Sequence, residues 1–129
     1  MRVIIAGGRD LLPTVEQVEA AVRASGFAVT EVVSGACRGV DVAGERWART
    51  EALDLRTFPA QWRRDDGSVD YSAGPKRNGV MAEYADALIA FWDGASSGTG
   101  DMVRKMQSLG KPVFVASVEG VAREKRRVR

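Results

Sequence analysis

Five short apolar runs recur along the chain, at Arg2–Ala6, Thr30–Ser34, Leu55–Pro59, Ala87–Trp92 and Val113–Ser117. Each is nearly continuous, the mark of a strand buried on both faces. Helical spacing fills the intervals. Thr14, after Pro13, is a good N-cap, Val15, Val18 and Val22 share one face, and Ser25-Gly26 closes that helix. A second helix spans about Val40 to Ala52 with Val40, Ala43 and Trp47 inward. A third begins near Gly74-Pro75, where proline is tolerated in the first turn, and carries Val80, Met81 and Tyr84 at core spacing. Met102, Val103, Met106 and Leu109 mark a fourth. Only Ala60–Ala73 breaks the rhythm, a polar stretch long enough for a binding loop, in which Trp62 or Tyr71 could stack on a base, or Trp62 anchor the loop to the core. Strands alternating with helices predict one three-layer α/β/α domain around a mostly parallel, five-stranded sheet, over residues 1–117. Residues 118–129 are then a basic tail, with a short final helix as one reading of it.

In open parallel sheets ligands bind beyond the carboxyl ends of the strands, where strand order reverses. The turns that leave the strands are therefore the places to look for chemistry. The first strand runs into Gly7-Gly8-Arg9-Asp10, and the second, ending at Ser34, into Gly35-Ala36-Cys37-Arg38-Gly39. The fourth runs through Asp93 into small residues from Gly94 to Gly100 and then a helix. That last order brings backbone N–H groups at a helix N-terminus toward an anion, and Ser96, Ser97 and Thr99 add hydroxyl donors. A plain capped connection is the structural alternative, with Thr99 or a serine as N-cap. No Lys-Ser or Lys-Thr follows the glycines, so this is not a P-loop. No GxGxxG follows the first strand, which disfavours nicotinamide-dependent hydride transfer.

Lys76 and Arg77 open the third helix against its dipole and so read as placed for an anion. Together these features predict a phosphate-bearing ligand in one cleft. Backbone N–H groups at Gly8, Gly35 and Gly98–Thr99 would hold phosphate, with Gly7, Gly39 and Gly94 also expected to bind the ligand. Arg9, Arg38 and Arg77 would supply charge, Ser34 and Ser96 hydroxyls, and Asn78 and Asp93 would read ribose or base.

Composition narrows the chemistry further. The 129 residues are 45% hydrophobic and 28% charged, as in soluble domains, with a net charge of only +2. There is no histidine, which removes Ser-His-Asp and Cys-His catalysis and histidine-based zinc sites; no metal site is expected. The lone Cys37 rules out an internal disulfide and suits a reducing cytoplasm. It sits beside Arg38 near a helix start, but with no histidine base it reads poorly as a nucleophile. Asp41 and Glu45, one turn apart, either offset the helix dipole or present a carboxylate to ribose or water. No apolar run approaches the ~20 residues that span a bilayer, and the start is too short for a signal peptide, so a cytoplasmic protein without membrane contact is expected. Positive charge gathers at Arg123–Arg129, a solvated terminus or a nucleic-acid contact.

Gly7-Gly8-Arg9-Asp10 followed by Ser34-Gly35-Ala36-Cys37-Arg38-Gly39-Val40-Asp41, with Ala43 and Glu45, resembles the SLOG superfamily. Phe58-Pro59-Ala60-Gln61-Trp62, Ala73-Gly74 with Arg77-Asn78 and Met81, and Ala85 to Met102 agree with it, in family order. The chain is most similar to the small stand-alone branch related to YspA and YpsA. The resemblance implies a Rossmann-like domain that binds or senses a nucleotide-derived ligand, such as an ADP-ribose-like molecule, with no cofactor required. A homodimer or larger homo-oligomer fits the family habit. The superfamily also includes the LOG phosphoribohydrolases and the DNA-uptake protein DprA, which supply two alternatives. A LOG-like hydrolysis of nucleoside monophosphates would draw its carboxylate from Asp93, Asp101 or Glu45. Here, however, the position of the LOG glutamate is Met102, and Asp101 falls one residue early. A DprA-like accessory role would bind nucleic acid through the basic tail.

Overall fold

In the computed structural model, which describes residues 1–124, the elements follow the predicted alternation, with two short additions. They are β1 (Arg2–Gly7), β2 (Leu11–Leu12), α1 (Val15–Ser25), β3 (Glu31–Ser34), α2 (Val40–Thr50), β4 (Asp54–Thr57), α3 (Ala73–Tyr84), β5 (Ala87–Phe91), α4 (Ser97–Ser108), β6 (Val113–Ala116) and β7 (Ala122–Arg123). The main sheet has the order β4-β3-β1-β5-β6 and every pairing in it is parallel. β1 pairs with β3 on one side and β5 on the other, in register Val3↔Val32 and Val3↔Ala87. Strand order therefore reverses between β1 and β5. The chain is a single Rossmann-like α/β domain.

Alternate residues of the strands feed two cores. Val3, Ile5, Val32, Ile89 and Phe91 pack with Val18, Val22, Ala43 and Trp47 of α1 and α2. Ile4, Val33, Leu88 and Ala90 pack with Met81, Met102 and Met106 of α3 and α4. All of β5 is buried, which explains why its sequence shows no alternation. On the first face, Trp47 Nε1 donates to Glu19 Oε2 (2.5 Å) and ties α2 to α1. α1 begins with a full capping box, Thr14 Oγ1 accepting from Gln17 N and Gln17 Oε1 from Thr14 N.

Four local expectations change. Val80, placed at core spacing on the third helix, is exposed. Leu109, placed on the core face of the fourth helix by spacing, is the C-cap of α4 and exposed. The small-residue loop ends at Ser96, which caps α4, so Ser97–Gly100 are its first turn rather than loop. The chain through Glu124 ends in strand rather than helix: β7 pairs antiparallel with β2, Leu11↔Arg123 and Leu12↔Ala122. Val118 and Val121 lean on the first core, and Gln17 Nε2 donates to Gly120 O (3.0 Å). The basic residues from Lys125 onward lie outside the described residues.

The polar stretch after β4 is ordered by its own hydrogen bonds. Arg63 and Val69 form an antiparallel bridge, and Asp70 N donates to Trp62 O (2.6 Å). No helix among the described residues is long and apolar enough to cross a membrane.

The end of α3 shows how one charge holds a helix against the sheet. Lys111 Nζ, from the turn before β6, donates to the carbonyl oxygens of Ala82 (2.7 Å), Glu83 (3.0 Å) and Ala85 (2.8 Å). These lie at or near the C-terminus of α3, where the dipole favours a cation. Lys111→Met keeps the stem and removes the donors, and it should lower unfolding free energy by about 1–3 kcal/mol in urea titrations.

Candidate functional site

The carboxyl ends of β1 and β5 open into a cleft of about 920 Å³ at the point of strand reversal. Three of its walls are the turns read from the sequence. Gly7, Gly8 and Arg9 come from β1, Gly35 and Arg38 from the turn after β3, and Asp93, Ser96, Gly98 and Thr99 from the connection between β5 and α4. Arg77, Asn78 and Asp101 also line it. Ser34, Gly39, Gly94 and Glu45 do not, among the residues expected to serve a ligand or catalysis.

The floor depends on two glycines. A Cβ on Gly7 would lie 2.6 Å from Phe91 O and 2.6 Å from Val40 Cγ2, so β1 could not close on β5 and the start of α2. Gly39, the N-cap of α2, has φ 83°, and a Cβ there would lie 2.6 Å from both Gly8 O and Arg9 O. Gly39 thus serves the site from below. Ser34 also acts from behind: its hydroxyl donates to Glu45 Oε2 (2.7 Å) and accepts from Ala36 N (3.1 Å). Ala36 is held at φ 59°, a conformation uncommon for a residue with a Cβ. Glu45 is committed to Ser34 and Arg49.

The charged side chains are more committed than their sequence positions suggest. Arg77 donates to Gly35 O (2.5 Å) and Phe58 O (3.3 Å) from Nη1, and to Asn78 Oδ1 (3.0 Å) from Nε. Its guanidinium also lies 3.8 Å from the Cys37 thiol. Arg77 therefore straps α3 to the β3 and β4 turns while presenting a cation to the cleft wall. Asn78 is buried, donating from Nδ2 to Asp101 Oδ2 (3.0 Å) and Gly98 O (3.3 Å), so it fixes the first turn of α4. Lys76 pairs with Asp70 (3.1 Å) rather than entering the cleft.

Asp101 is held by Lys105 Nζ at 2.6 and 2.7 Å. Burial works against its charged form, but Lys105 and Asn78 outweigh it and hold the carboxyl below its usual range. Asp93 accepts from Ala95 N (2.9 Å) and from Arg123 Nη2 (2.8 Å), and both contacts lower its pKa. Thr99 is buried, its hydroxyl donating to Ser96 Oγ (3.0 Å). Met102 is 2% exposed, with its side chain in the second core.

Four further side chains complete the cleft. The Arg9 guanidinium lies 6.0 Å from the ring centre of Trp62, close enough for a cation–π contact. Trp62 also covers Gly74 at the start of α3, so it anchors the long loop and borders the cleft at once. Tyr71, 84% exposed, stands at the rim. Arg123 reaches the cleft from β7. The sequence offers Arg123 only as part of a basic tail, solvated or nucleic-acid-binding, because two residues of strand after a Gly120 turn carry almost no periodic signal.

Asp41 is the unusual group. It is 6% exposed yet borders the cleft, and Cys37 N donates to Oδ2 (3.2 Å). Burial pushes its pKa up to about 6, against the opposing pull of the Cys37 N–H and the Arg77 charge. The folded protein then keeps a proton that the unfolded chain releases near pH 4, so native stability falls as pH rises from about 4 to 6. Asp41→Asn removes that cost. The stability difference between variant and wild type should grow by about 2–3 kcal/mol between pH 4 and pH 7. Parallel urea titrations at the two pH values measure it, and a pH-independent difference would contradict the assignment.

Residues 1–64, which carry the β1 and β3 turns and the start of the long loop, match the model of the YspA, cpYpsA-related SLOG family. No curated protein and no solved structure matches the chain. The matched half supplies Gly7, Gly8, Gly35, Asp41 and the β1 side of the cleft, whereas α3, α4 and β7 lie beyond it. Through residues 1–64, the chain belongs to the YspA-related branch of the SLOG superfamily.

Proposed function

We propose that the cleft binds a nucleotide or nucleotide-derived ligand of the ADP-ribose type, with phosphate against the first turn of α4 and the Gly7-Gly8 turn. The observation that carries this reading is the cleft itself. It lies where the β1–β5 order reverses, and at about 920 Å³ it has the size of a small-ligand site. Small residues on both sides let a ligand approach the backbone, and the first N–H groups of α4 have no intrahelical acceptor. Trp62 and Tyr71 offer π-faces to a base, and Asp41 an acceptor to a ribose hydroxyl or exocyclic amine. Membership of the SLOG superfamily supports nucleotide-related binding or processing.

Binding fits the side chains better than hydrolysis does. Asp93 and Asp101 are each tied to a cation, and Glu45 is tied to Ser34 behind the cleft. None of them stands as an uncommitted acid or base.

A Cβ on Gly98 would meet nothing within 4 Å, so Gly98→Asp is accommodated and adds a carboxylate to the first turn of α4. It should leave thermal stability within about 1 kcal/mol, since an acidic side chain there suits the dipole. The same change should weaken AMP and ADP-ribose at least about tenfold by opposing the phosphate. In the wild type, a hundredfold excess of ligand over Kd should add about 2.7 kcal/mol of stability, readable as a thermal shift. A flat response to both ligands, or unchanged affinity in Gly98→Asp, contradicts the proposal. Chromatography of the same mixtures tests whether free base accumulates.

A further inference from the structure

The chain after β6 returns to the cleft at a chemically awkward place. Asp93 sits on the turn leaving β5, three residues before the Ser96 cap, and both border the same cleft. A carboxylate there repels any anion approaching the first turn of α4. Arg123 Nη2 meets Asp93 Oδ2 at 2.8 Å. The backbone around Arg123 is fixed on the opposite side of the strand reversal: β7 pairs with β2, and Glu124 N donates to Asp10 O (2.7 Å) in the turn that leaves β1. Val118 and Val121 anchor the segment on the first core. Residues 117–124 thus form a strap joining the β1 and β5 turns, with its cleft-facing cation on the carboxylate of the turn into α4.

We propose that Arg123 is a positioning residue that masks the charge of Asp93, making the α4 side of the cleft permissive for the anionic part of the ligand. Asp93 cannot simply be absent, because its other oxygen accepts from Ala95 N and shapes the turn into α4 (2.9 Å). The strap reconciles the two needs. Asp93 keeps its backbone contact, and its charge is answered from outside the turn. The pair is partly exposed, with side-chain exposures of 53% and 35%, so its contribution to folding is small while its effect on an arriving anion is local.

This inference rests on the nucleotide reading above, and a double-mutant cycle separates the two. Affinities for AMP, and for adenosine as a probe without phosphate, are measured by calorimetry on full-length wild type, Arg123→Ala, Asp93→Asn and the double variant. Arg123→Ala should weaken AMP about tenfold and leave adenosine within twofold, because an unmasked carboxylate acts on the phosphate alone. Asn at position 93 can still accept from Ala95 N, so the double variant should recover AMP binding to within about threefold of wild type. If Arg123→Ala leaves AMP unchanged, or if the double variant stays as weak as Arg123→Ala, the masking role is wrong; the second result would make Arg123 a direct ligand contact. If wild type binds neither AMP nor ADP-ribose, the underlying nucleotide reading fails instead.

Discussion

The architecture turns on the close approach of the β5 backbone and the Val40 side chain at Gly7. There β1 ends against β5, and the first residue of α2 presses in from the first face, leaving no space for a Cβ at that position. The contact does two things. It lets the central strands of a fully parallel sheet pair to their last residues, Gly7↔Phe91, and it brings the turns after β1, β3 and β5 to one edge. Gly39 extends the constraint, since its left-handed conformation and contact with Gly8 O and Arg9 O set where α2 starts. A larger residue at either position would push apart the elements that form the cleft floor, so fold and site share one steric condition.

Above that floor the cleft is governed by charge pairing. Arg77 is spent on carbonyl oxygens, Asp101 on Lys105 and Asp93 on Arg123. Such commitments fix geometry before a ligand arrives, which lowers the entropy lost on binding. Among the described cleft residues, Asp41, whose burial keeps its charge costly, and Arg9, resting near Trp62, are less fully committed.

Much of this was legible in the chain. The apolar runs marked the five strands, and in Ala87–Phe91 burial on both faces erases alternation, whereas β4 at the sheet edge is largely exposed despite the expectation of burial on both faces. The glycine turns marked the cleft because close backbone approach requires glycine at Gly7 and Gly39. The side chains were harder. Asn78 and Arg77 read as ligand contacts from their places on α3, yet both spend their hydrogen bonds between elements, because local sequence does not reveal which distant carbonyls come near. Leu109 obeyed helical spacing but fell at the cap, where spacing stops governing direction. Arg123 read only as part of a basic tail: its strand is two residues long, and its place at the cleft comes from tertiary contact with Asp93.

The alternation of Arg and Asp around the cleft bears on the size of ligand it suits. A nucleic-acid groove presents a run of cations along a repeating phosphate backbone, and its binding energy grows with the number of phosphates neutralised. Here Arg9, Arg38, Arg77 and Arg123 are interleaved with Asp10, Asp41, Asp93 and Asp101, so a polyanion tracking this edge would meet repulsion as often as attraction. With a net charge of +2 the distant field adds little, and screening confines what remains to roughly 8 Å at physiological salt. Under the proposed reading, selectivity then falls to short-range contacts: one phosphate at the turn where backbone N–H groups converge, and hydrogen-bond donors placed against Asp41. A compact ligand carrying one or two phosphates and a ribose would suit that proposed arrangement of the described residues.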